Sequence, residues 1–163
     1  MATQSESLAL PSFDEPPRVL IVVAPYYAGI SDSQVARARA VLDRAGAEVE
    51  VVEVPGALEI PAAIGIAHRQ ADFDAYVALG CVIRGETSHY DIVIGESARG
   101  ITNLGLVGAC VGNGILTVES MAQAEARLTD AHDTAGGAAA AALHLAALQK
   151  RMTRGPKGIG FRS

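Results

Sequence analysis

The sequence predicts an α/β protein, a three-layer sandwich in which a four-stranded parallel sheet is covered by helices on both faces. Three observations predict it. Apolar runs of strand length alternate along the chain with stretches whose apolar residues recur every three to four positions. The first run, Arg-Val-Leu-Ile-Val-Val-Ala at 18–24, is apolar with hardly a break, as in a strand buried on both faces. The polar and glycine-bearing clusters follow the strands, at the carboxyl ends where parallel sheets bind ligands.

Residues 1–17 are polar, carry three prolines and read as an arm before a domain at 18–150. After the strand at 18–24 come Tyr26 and Tyr27. Ser-Asp-Ser-Gln at 31–34 reads as a capping box, and Val35, Ala38, Val41, Leu42 and Ala45 then follow helical spacing until Gly46. A second strand is expected at 48–54, a turn at Pro55-Gly56, and a second helix at 60–69 with Pro61 in its first turn. The third strand, 76–83, delivers Arg84, Glu86, Thr87 and Ser88 on a short loop, after which a helix starts with His89 in its first turn and runs to about residue 103. A fourth strand is expected at 106–111, with Gly112-Asn113-Gly114 as another strand-end turn. Helices at 119–129 and, alanine-rich, at 137–150 complete the domain, and 151–163 is a locally basic tail.

Composition narrows the function classes. The 163 residues are 50% hydrophobic, enough for one sizeable core, and no run of about 20 apolar residues suggests a membrane span. A net charge of −5 argues against a broad nucleic-acid surface. The N-terminus shows no basic-then-apolar export pattern, so the cytoplasm is the expected compartment. Cys81 and Cys110 lie in apolar runs without a Cys or His at ligand spacing, which favours buried reduced thiols and no metal. Neither Gly-x-Gly-x-x-Gly nor Gly-x-x-x-x-Gly-Lys-Ser/Thr occurs, which disfavours a dinucleotide or NTP enzyme.

Four loops are therefore expected to line one rim: Tyr26, then Gly56–Glu59, then Arg84–His89, then Asn113. A histidine there can move protons near neutral pH. Each of these residues also has a plainer reading. His89 alone could be a helix-start histidine bonded to a loop carbonyl, Arg127 a solvated helix charge, and Glu59 an acid favouring a helix N-terminus. Thr87 and Glu86 could simply cap a helix, Tyr26 could be a rim aromatic, and Cys81, Val82 and Ile83 could be core.

Three strings now carry a family resemblance: Val-Pro-Gly-Ala-Leu-Glu-Ile-Pro at 54–61, Gly-Cys-Val-Ile-Arg-Gly-Glu-Thr-Ser-His-Tyr-Asp at 80–91, and Gly-Asn-Gly-Ile-Leu-Thr-Val-Glu at 112–119. In order and spacing, over residues 18–150, the chain resembles the 6,7-dimethyl-8-ribityllumazine synthases of riboflavin biosynthesis. The resemblance implies a flavodoxin-like fold and condensation of 5-amino-6-(D-ribitylamino)uracil with 3,4-dihydroxy-2-butanone 4-phosphate, releasing phosphate and water without cofactor or metal. It makes His89 the proton-transfer residue. Tyr26 would stack on the pyrimidine, Ala57, Leu58 and Glu59 would hold the ribitylaminouracil, and Cys81, Val82 and Ile83 would read its edge through their backbone, with Cys81 a lining residue rather than a nucleophile. Glu86 and Thr87 would seat the phosphate together with Arg127, whose planar fork suits it. Because a carboxylate is an odd neighbour for a dianion, the Glu86 side chain is expected to point away or pair with Arg84.

The chain also departs from the family pattern. Pro25 replaces an Arg found in many members, Asn113 stands where some have Phe, and the loop after Arg127 lacks the lysines often seen there, with His132 read as a surface histidine. The resemblance further implies a homopentamer, in some members packed into a sixty-subunit shell, with Asn113 and Arg127 facing the neighbour's site. The N-terminal arm would pair with an adjacent subunit, and riboflavin synthase would be a partner. Two rival readings are a catalytically weak flavin- or lumazine-binding member of the fold and a shell-forming scaffold.

Overall fold

The computed structural model describes residues 7–153. Eleven elements occur in the order β1 (Arg18–Val23), α1 (Ala28–Arg44), β2 (Glu48–Glu53), α2 (Glu59–Gln70), β3 (Ala75–Ile83), α3 (His89–Leu106), β4 (Val111–Val118), α4 (Met121–Ala126), β5 (Leu128–Thr129), β6 (His132–Asp133) and α5 (Thr134–Met152). The four long strands form one parallel sheet in the order β2-β1-β3-β4, and β5 and β6 make a small antiparallel hairpin. The chain thus leaves β1 in one direction to reach β2 and returns past it to β3, which places the topological switch point at the carboxyl ends of β1 and β3.

Strand alternation divides the core in two. Val19, Ile21 and Val23 of β1 and Val77 and Leu79 of β3 face α1 and α5, whereas Leu20, Val22, Tyr76 and Ala78 face α2 and α3. Both α1 and α3 end on a left-handed glycine, Gly46 and Gly108, where the next amide bonds back to the helix (Ala47 N–H to the Leu42 carbonyl, 3.0 Å; Ala109 N–H to the Leu104 carbonyl, 3.0 Å). Residues 7–17 lie outside regular structure, with Leu10 and Phe13 half-buried against the α1/α5 side of the core. The expected arm and basic tail fall partly outside the described residues, at 1–6 and 154–163. Residues 151 and 152, expected in the tail, still belong to α5.

Three expectations are corrected. Residues 106–111 are not the fourth strand: Leu106 closes α3, and β4 occupies 111–118, so Gly112-Asn113-Gly114 lies within the strand, Asn113 being paired in register with Ala78. Its glycines serve packing rather than a turn. A Cβ on Gly112 would overlap the Ala138 carbonyl, and one on Gly114 would lie 2.8 Å from Leu79 Cδ2 and 3.1 Å from Ala138 Cβ. The alanine face of α5 comes down onto the sheet there because neither strand residue has a side chain. The second correction concerns α1, which begins at Ala28, so Ser31 is not its cap; buried inside the first turns, Ser31 Oγ donates to the Tyr27 carbonyl at 2.9 Å. Likewise the expected helix at 119–129 is shorter, and its last residues form β5.

Candidate active site

At the switch point, Ala24 N–H donates to the Leu79 carbonyl (2.9 Å), the last main-chain link between the first and third strands. Strand β3 continues beyond it to Ile83, paired only with β4 through Ile83 opposite Val118. One edge of Gly80–Ile83 therefore has no strand beside it and offers main-chain groups to a ligand. Over this edge the chain turns at Pro25, where Tyr26 N–H donates to the Ala24 carbonyl (2.9 Å). The Tyr26 ring is left 74% exposed and meets Tyr27 edge-on, with centroids 4.9 Å apart.

The other walls come from two helix starts. Glu59 opens α2 after the Pro55-Gly56 turn, its N–H bonded to the Gly56 carbonyl (3.1 Å) and its carboxylate folded back over Gly56. His89 opens α3, with its N–H on Thr87 Oγ1 (3.3 Å). Between these walls lies a cavity of about 370 Å³. It is lined by Ala24, Tyr26, Tyr27, Pro55–Glu59, Cys81–Ile83, His89 and Val93. Burial pushes the Cys81 thiol, which packs with the α1/α5 side of the core, up to about 11, so it is protonated at neutral pH and is no nucleophile. Burial also raises Tyr27, helped by the nearby Tyr26 and Cys81.

The structure therefore gathers Tyr26, Ala57, Leu58, Glu59, Cys81, Val82, Ile83 and His89 around one space. Glu86 and Thr87 lie exposed on the adjoining loop, outside the lining. Asn113 and Arg127 do not join them. Asn113 is exposed in mid-strand, its Oδ1 accepting from Ile115 N–H (3.0 Å), so it does not stand at the end of the fourth strand and three loops, not four, meet at the rim. Arg127 follows α4 and donates from Nη1 to the Gln123 carbonyl (2.8 Å). The pairing considered for Glu86 is also absent: Arg84 binds Glu119 through Nε (2.8 Å) and approaches Asp91 (3.5 Å). Val93 was missed, although it lies one helical turn after His89 and hence on the same face. Gly56 lines the cavity as expected of the 56–59 loop, and Pro55 and Tyr27 join it from the same turns as Gly56 and Tyr26. Among the described residues, no three His, Cys, Asp or Glu side chains gather as metal ligands, and no helix is long and apolar enough to cross a membrane.

An aromatic face, an unpaired strand edge, an acid and an imidazole around one space suit a planar, hydrogen-bonding heterocycle that exchanges protons. Comparison with known proteins agrees. Residues 16–150 match the family model for 6,7-dimethyl-8-ribityllumazine synthase. The chain is 59% identical to a protein of that name from Jannaschia sp., over 99% of this chain and 92% of the relative. Likewise named relatives from Novosphingobium aromaticivorans and Xanthobacter autotrophicus are 56% and 54% identical, over 82% and 83% of this chain and 97% and 86% of theirs. With a family match over most of its length and relatives at this identity, the chain belongs to the 6,7-dimethyl-8-ribityllumazine synthase family.

Proposed function

We propose that the protein condenses 5-amino-6-(D-ribitylamino)uracil with 3,4-dihydroxy-2-butanone 4-phosphate to 6,7-dimethyl-8-ribityllumazine, releasing phosphate and water. The observation that carries this reading is the cavity in which His89 and Tyr26 stand beside the unpaired edge of Cys81–Ile83. The strand edge hydrogen-bonds the pyrimidine, Tyr26 stacks on it, and Glu59 accepts from ribityl hydroxyls. Phosphate sits on the N–H groups and hydroxyl of Glu86 and Thr87 at the start of α3. His89, between the two, takes and returns protons as the imine forms and phosphate leaves.

Arg127 and Asn113 act on a neighbouring subunit's site. Their absence from the lining of their own chain's cavity supports this, the Arg127 guanidinium being bonded to the Gln123 carbonyl and the Asn113 side chain to Ile115 N–H. The working form is a cytoplasmic homopentamer, with riboflavin synthase as a partner. The test is direct: purified protein given both substrates forms lumazine absorbance with one phosphate released per product. Product at only the uncatalysed rate rules the reading out, and tight riboflavin binding without turnover would favour a flavin-binding role instead.

A further inference from the structure

Arg84 immediately follows β3, and its side chain is engaged on three sides. Nε donates to both carboxylate oxygens of Glu119, at 3.0 and 2.8 Å, just beyond the end of β4. Nη1 lies 3.5 Å from Oδ1 of Asp91 in the first turn of α3. The guanidinium carbon stands 4.3 Å over the ring of the buried Tyr90. Below it, the main chain is fixed as well, Arg84 N–H donating to the Val118 carbonyl at 2.9 Å. Glu119 is itself held, because its N–H donates to Gln123 Oε1 at 2.8 Å.

The residues between these anchors have little else to hold them. Gly85 to His89 are all exposed, Ser88 makes no side-chain capping bond, and the side-chain bond within the segment is the 3.3 Å contact from His89 N–H to Thr87 Oγ1. One guanidinium thus ties the two ends of the segment, bonded to Glu119 beyond β4 on one side and close to Asp91 in the first turn of α3 on the other. Two carboxylates already balance its charge, which makes Arg84 a poor phosphate ligand in its own right. A solvent-exposed ion pair adds little stability by itself. Geometry is a different matter, because a displacement of about 1 Å in a reacting group can cost about a hundredfold in rate.

We propose that Arg84 is a positioning residue: through Glu119, Asp91 and Tyr90 it fixes the 85–89 segment so that Thr87 and His89 face the phosphorylated substrate. This rests on the lumazine synthase reading and on the phosphate seat at residues 86 and 87. A merely structural role would move both substrates alike, whereas a positioning role is selective. The pyrimidine is held by Tyr26, Ala57–Glu59 and Cys81–Ile83, none of which Arg84 braces.

The experiment compares Arg84→Met, Arg84→Lys, Glu119→Gln and the Arg84→Met/Glu119→Gln double variant with wild type in steady-state assays, using inorganic phosphate as a competitive inhibitor. The Met variant should raise KM for the butanone phosphate and Ki for phosphate by about tenfold or more, and KM for the ribitylaminouracil by less than about twofold. Lysine should restore little, because an ammonium cannot bridge both carboxylates and stack. The double variant should be no worse than Arg84→Met alone. Equal shifts for the two substrates, an unchanged phosphate Ki, or additive losses overturn the proposal. If Arg84→Met fails to fold by circular dichroism, the Glu119→Gln variant decides by the same criteria. Wild type without turnover removes the lumazine synthase reading and this proposal with it, whereas an active wild type matched by all variants removes this proposal alone.

Discussion

His89 and Cys81 both belong to the lining of one cavity, and their environments differ. His89 is exposed at a helix start, and its loss removes the single imidazole lining the cavity. His89→Ala should therefore lower kcat by about 10²–10⁴-fold while pyrimidine affinity, measured by calorimetry, stays near wild type. Cys81 behaves as a buried neutral thiol. Its folded value of about 11 lies above the ordinary 9.0, so above that ordinary value the unfolded chain loses its proton first. The native state then binds more protons than the unfolded one, and the stabilisation present below pH 9.0 is lost as pH rises towards 11. Urea midpoints measured across that range should fall for wild type and fall less for Cys81→Ala, whose turnover should remain within a few-fold.

The elements show what a sequence can and cannot disclose. Strand β3 and the start of α3 were legible because an unbroken apolar run, Tyr76 to Ile83, ends in a polar cluster, and nothing else in the fold competes for that pattern. Strand β4 was misplaced because a glycine that admits another element looks the same in sequence as one that adopts positive φ. Only the approach of Ala138 distinguishes them. Ser31 misled in a similar way, since a buried serine that bonds back to a helix carbonyl has the same letters around it as a cap. The packing explanation has a measurable consequence. Gly112→Ala should destabilise by about 1–3 kcal/mol as α5 is forced outward. Gly137→Ala, exposed on α5 with no atom within 4 Å of the added carbon, should instead stabilise by about 0.5–1 kcal/mol. Thermal unfolding of the two variants reads both signs.

At the scale of the whole molecule, the described chain carries a cavity and, away from it, two residues that the family resemblance assigns to the same reaction. The sheet order explains the separation. His89 and Tyr26 sit at the β1/β3 switch point, whereas Asn113 lies exposed in mid-strand on β4, the edge strand. Arg127 leads from α4 into the β5/β6 hairpin, with Thr134 N–H on its carbonyl (3.0 Å), and is not among the residues lining that cavity. The departures at Pro25 and Asn113 fall on the same two regions, Pro25 in the turn that precedes Tyr26 and Asn113 exposed on the edge strand. The most direct measurement of the half-site claim is complementation between two inactive variants. His89→Ala and Arg127→Ala subunits, co-refolded one to one and verified as mixed assemblies by native mass spectrometry, should regain about one quarter of wild-type activity, the fraction of randomly paired sites with both residues intact. Mixed assemblies that stay at the level of the separate variants would contradict a site shared between subunits.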